Sequence, residues 1–141
     1  KIEEKELKEI CEGIYEKEKN IQIIILHTPN KIDEVKSIIE NMNFEYVIPS
    51  YKTDTILDLS ALLKELDLVI TPDTSIVHIA SAFNKPVVSI HENNMSSYTF
   101  FAPTSTVNHT VFAKSKNGLI GYSLDDIINY SVDYIKKGYH E

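Results

Sequence analysis

The residues best placed to do chemistry lie in the run Thr71-Pro72-Asp73-Thr74-Ser75-Ile76-Val77-His78. An apolar stretch passes there directly into a helical pattern, so the first amides of the helix, those of Thr74, Ser75 and Ile76, have no partner within it. Unpaired N–H groups at the positive end of a helix dipole make an anion site. The hydroxyls of Thr74 and Ser75 add donors for phosphate oxygens, and His78, one turn further on, can reach a second phosphate or a sugar oxygen. Asp73 has two readings: a helix cap, or an acceptor for sugar hydroxyls. The other residue types that support catalysis are sparse. Cys11 is the sole cysteine and falls on an apolar helical stripe, which makes it a packing residue in a reducing compartment. His27, His78, His91, His109 and His140 have no metal-ligand spacing, so no metal or other cofactor is expected.

The elements that must position this run alternate regularly. Leu7, Ile10, Cys11 and Ile14 recur at helical spacing within a helix from Ile2 to Tyr15. Ile21 to Leu26 is a continuous apolar run of the kind a strand covered on both faces requires. A helix from Lys31 to Met42 and a strand from Phe44 to Ile48 follow. A Leu-rich helix from Ile56 to Leu66 then leads into a strand from Leu66 to Thr71. A short helix carries Ile76, Ile79, Ala80 and Phe83, a strand spans Val87 to Ile90, and a weaker strand lies near Thr110 to Ala113. Ser123 and Asp126 form a capping box for the last helix. Glu92 to Asn108 reads as a long, partly mobile connection.

This alternation predicts one α/β domain over residues 1–141 with a Rossmann-like parallel sheet and helices on both faces. Ligands of such sheets sit outside the carboxyl ends of the strands. The strand-to-helix loops are therefore the ones to read, and Lys85, at the opposite edge, is a solvated charge. A net charge of −7 with no basic stripe excludes a nucleic-acid surface, and no apolar run is long enough to span a bilayer. A soluble cytoplasmic protein is expected.

The stretch Leu66 to Pro86, LDLVITPDTSIVHIASAFNKP, resembles the signature of glycosyltransferase family 9, the lipopolysaccharide heptosyltransferases. There an Asp-Thr/Ser-Gly-x-x-His-x-Ala-x-Ala pattern follows an apolar strand and ends in Lys-Pro. The Leu-rich helix before it and the closing helix from Ser123 extend the likeness over nearly the whole chain. The resemblance implies the C-terminal, donor-binding half of a GT-B type, metal-independent, inverting transferase acting in lipopolysaccharide or surface glycan synthesis. Its ligand would be a nucleotide-diphosphate-sugar such as ADP-heptose. The donor roles fall on Asp73, Thr74 and His78. Ser75 stands where the family has glycine, and His91 to Asn94 stand where relatives read Gly-Pro-Thr.

The resemblance also places the base near Lys52, Thr53 and Asp54, and the ribose against Glu34 or its neighbour Asp33. It assigns the catalytic base, the acceptor lipid or oligosaccharide, and any contact with the inner membrane face to an N-terminal domain outside these residues. No catalytic residue is expected here. The family's C-terminal domain begins one strand earlier than this chain, so a central strand is expected to be lacking. Closure of the sheet, another segment or a second copy in a homodimer would fill its place. Two other readings stand beside this one: a non-catalytic α/β nucleotide-binding or interaction module, and a hydrolase or phosphosugar epimerase of similar build. No nucleophile elbow supports the hydrolase.

Overall fold

The computed structural model describes residues 1–138, and helices and strands alternate along them. They run in the order α1 (Glu4–Lys17), β1 (Ile23–Ile25), α2 (Ile32–Met42, entered by a 3-10 turn at Pro29–Lys31), β2 (Val47–Pro49), α3 (Ile56–Lys64) and β3 (Val69–Pro72). After these come α4 (Ser75–Ala82), β4 (Val87–His91), α5 (Met95–Phe101), β5 (Asn108–Phe112) and α6 (Leu124–Lys137). Every strand pair is parallel. Helix α5 lies within the stretch expected to be an irregular connection. Asn94 caps it by accepting a bond from Ser97 N, but its aromatic residues follow no apolar stripe. Ser123 caps α6 as expected, accepting from Asp126 N at 3.1 Å. The reciprocal bonds of a capping box form instead at α3, between Thr55 and Asp58, and at α1, between Glu3 and Glu6.

The strands fall into two sheets, β1-β2 and β3-β4-β5, where the sequence predicts one. Between them lies a cleft of about 400 Å³, lined by Ile21 to Ile25 on one side and by Leu66, Leu68 and Ile70 on the other. Leu7, Ile10, Cys11 and Ile14 of α1 also line it. Backbone groups in a parallel ladder alternate sides. Ile23 N bonds Tyr46 O, and Val69 N bonds Pro86 O, so these residues face their own neighbours. Ile24 on β1, Ile70 on β3 and Leu68 just before β3 therefore turn their N–H and C=O groups toward the cleft. Two strand edges face one another across a gap in the middle of the molecule.

Helices cover both faces of the strands. On one face Ile10 and Ile14 of α1 and Ile127, Ile128 and Val132 of α6 enclose Val88, Ile90 and Val111. On the other, Leu63 of α3 and Ala80 of α4 close over Val69 and Val87. A third cluster joins Cys11, Met42 and Val47 beside the first sheet. All five residues of β4 are buried, which is why its sequence shows no polar alternation. Burial pushes the Cys11 thiol up to about 12, so it stays a neutral packing group. Among the described residues no helix is long and apolar enough to cross a membrane.

Candidate functional site

The carboxyl ends of β3 and β4 lie together because the two strands pair in register, with Pro72 beside Ile90. Asp73 N bonds Ile90 O at 3.0 Å, which pins the start of the β3–α4 turn to the neighbouring strand. Helix α4 then begins with Thr74 as its cap. The Thr74 hydroxyl accepts from Ile76 N at 3.3 Å and lies 3.2 Å from the Thr71 hydroxyl. The cap narrows the expected anion site. Ile76 N is used by it, and Asp73 caps nothing. Among the described residues no internal hydrogen bond engages the amide N–H of Thr74 or Ser75, or the Ser75 hydroxyl. Asp73, Thr74, Ser75 and His78 are all exposed at this edge.

Asp73 points instead toward the end of β4. Its Oδ2 lies 3.0 Å from Nε2 of His91, whose side chain is 5% exposed against 31% for the carboxylate. The approach is within ion-pair range, yet it lies off the line of a hydrogen bond, so Nε2 is a buried polar atom with no aligned partner. The other ring nitrogen, Nδ1, lies 2.8 Å from Glu92 O. A carbonyl oxygen only accepts, so Nδ1 carries a hydrogen, and the contact with Asp73 is an ion pair when Nε2 carries one too. Tyr98 packs edge-on against the ring at 5.3 Å, and Phe112 lies 6.2 Å from it. His78 has an aromatic neighbour in Phe101, at 6.4 Å between ring centres.

The remaining candidates sit apart. Glu34, near the start of α2, is within 3.1 Å of Lys1 Nζ and 3.3 Å of Lys31 Nζ. The hydrogen bond from Lys1 is the largest influence holding its carboxyl below the usual range, and Lys31 adds to it. Lys52 pairs with Asp54 at 3.4 Å in the loop after β2, and Thr53 between them is half-buried. Among the described residues no hydrogen bond, ion pair or ring contact joins Glu34, Lys52 or Thr53 to the β3–α4 turn. The cleft between the sheets is not this site either, since none of residues 71–78 lines it. Sequence reasoning missed the Asp73–His91 pair, whose only signal is the strand register. It also missed His27, whose nitrogens face Thr28 O at 2.9 Å and Ser50 O at 3.0 Å and so tie the ends of β1 and β2 together. His140 lies outside the described residues.

The fold has counterparts among solved structures. E. coli ADP-heptose lps heptosyltransferase II matches with a TM-score of 0.77 and 16% identity, over 97% of this chain and 42% of that one. E. coli heptosyltransferase WaaC with ADP matches with a TM-score of 0.76 and 16% identity, over 94% of this chain and 39% of that one. The chain thus spans about two-fifths of the length of these transferases. No curated protein matches it in sequence. Residues 7–118 match glycosyltransferase family 9 (heptosyltransferase). That match takes in the whole β3–α4 turn and the end of β4, and with it the chain belongs to glycosyltransferase family 9.

Proposed function

We propose that the carboxyl edge of β3 and β4 binds the diphosphate and sugar of a nucleotide-sugar donor, ADP-heptose-like, as the donor half of a longer inverting glycosyltransferase. The observation that carries this reading is the β3–α4 turn. It presents the unengaged N–H groups of Thr74 and Ser75 at the positive end of α4, inside the part of the chain that matches the family. In this role Thr74 and Ser75 hold phosphate oxygens, His78 reaches a second phosphate or a sugar oxygen, and Asp73 accepts from sugar hydroxyls. Glu34, released from its lysines, is proposed to hold the ribose, with Lys52 and Thr53 toward the base. The two structural counterparts support the choice of nucleotide, one named with ADP and the other with ADP-heptose.

The catalytic base and the acceptor site are assigned to the remainder of a two-domain enzyme acting in surface glycan synthesis on the cytoplasmic side of the membrane. The cleft between β1 and β3, with backbone groups of both strands turned toward it, is in keeping with a further strand supplied from outside these residues. Backbone amides replace a metal in holding the diphosphate, so transfer is expected to survive EDTA.

Calorimetric titration of the intact protein with ADP, UDP and GDP, and with ADP-heptose as the donor, tests this reading. ADP is expected to bind, and both Asp73→Ala and His78→Ala are expected to weaken the donor by about tenfold or more, as the loss of charge-assisted hydrogen bonds should. If none of the three nucleotides bound, the assignment would be wrong. A non-catalytic nucleotide-binding module is the second reading, favoured by Ser75 in place of glycine and by the departure at His91 to Asn94. Binding of ADP without sugar transfer by the intact protein would select it.

A further inference from the structure

His91 is a buried imidazole with an unaligned Nε2, a costly arrangement that a merely structural histidine would relieve by rotating toward a partner. The surroundings prevent that rotation. Nδ1 is committed to Glu92 O, and the Glu92 carboxylate in turn accepts Gly118 N at 2.8 Å. Asn93 N bonds Ser115 O at 2.8 Å, so the backbone beyond the ring is tied to the loop after β5. The Tyr98 hydroxyl is held 2.9 Å from the Thr110 hydroxyl, which itself lies 2.9 Å from that of Ser89. The ring is therefore held by Glu92 O, Tyr98 and Phe112, with Nε2 beside the Asp73 carboxylate.

Asp73, by contrast, has no other fixed partner for its carboxylate among the described residues, and it caps no helix. Left alone it would sample several rotamers at the mouth of the site.

We infer that His91 is a positioning residue: it fixes one oxygen of the Asp73 carboxylate so that the other is presented to the sugar of the donor. This rests on the donor-binding reading of the β3–α4 turn. It assigns a recognition task to the end of β4, because the residue that orients Asp73 closes that strand. Selection among sugars then depends on the pair, whereas the diphosphate is held by the amides of α4.

The test is titration of the intact protein with ADP and with ADP-heptose, using His91→Leu, His91→Gln, Asp73→Asn and the double variant His91→Leu/Asp73→Asn. ADP affinity is expected to stay within about twofold throughout. ADP-heptose affinity is expected to fall about tenfold in His91→Leu, as the loss of a partly buried charged contact that holds the carboxylate should. His91→Gln, which keeps a side-chain donor, is expected to recover most of that loss. The double variant is expected to be no weaker than Asp73→Asn alone. Equal weakening of ADP and ADP-heptose by His91→Leu would overturn the inference. So would an unchanged ADP-heptose affinity in His91→Leu when Asp73→Asn lowers it. If His91→Leu does not fold, His91→Gln decides by the same comparison, and a loss of both ligands there refutes the role. Wild-type protein that binds neither probe identifies the donor-site reading, rather than the pair, as the failure.

Discussion

At the scale of residues, the histidines at the carboxyl edge differ from the one on the far face of the sheet. His91 and His27 each have both ring nitrogens facing oxygen atoms. His109, on β5, is stacked on Tyr130 with ring centres 3.4 Å apart and planes 7° apart. Burial holds it below its ordinary value of 6.5, with Asp126 partly opposing. The folded state thus binds this proton less tightly than the unfolded chain does. Its contribution to stability is complete above the unfolded value and is lost as pH falls through it toward the lower folded one. Urea midpoints are therefore expected to decline below about pH 6.5, and His109→Phe, which keeps the stack and removes the titration, to flatten that part of the decline. An unchanged pH profile in His109→Phe would show that other groups govern it.

At the scale of elements, what the sequence reveals depends on whether a signal is local. The strands of isoleucine and valine were legible because burial on both faces demands continuous apolar runs, and the helices because their stripes are periodic. Strand ends shifted by a few residues: the run Leu66 to Thr71 became Val69–Pro72, with Leu66 and Leu68 left lining the cleft. Helix α5 was not legible, since Phe100 and Phe101 remain exposed and give no inward stripe. The β3–α4 turn was found from its residue types, but the pairing of Asp73 with His91 was not, because it arises from the register of two strands. Packing of α3 against β3 offers a direct check on the element picture. Leu63 is fully buried between them, and Leu63→Ala is expected to cost about 2–5 kcal/mol in chemical denaturation. A cost under about 1 kcal/mol would mean that α3 is not seated as described.

At the scale of the whole molecule, the two sheets share no strand pairing among the described residues, and the helices span what the strands do not. Helix α1 packs both on α6, beside the larger sheet, and on Val47 and Met42, beside the smaller one. Lys17 Nζ donates to Asn129 Oδ1 at 2.6 Å, which adds a polar tie at the end of the same contact. The fold of these residues corresponds to about two-fifths of the length of the transferases it resembles.

The gap between β1 and β3 has a consequence for how these residues behave when handled alone. Strand edges with unsatisfied backbone groups act as templates for any extended chain that meets them. The 141-residue chain is expected to self-associate as its concentration rises, and sedimentation should detect it. Amide exchange at Ile24 and Ile70 should slow as association proceeds. In a longer polypeptide that fills the gap, the same amides should be protected at every concentration and the stickiness should vanish. Fast exchange at both positions in that longer protein would show that the edges stay bare and that the cleft is a permanent part of its architecture.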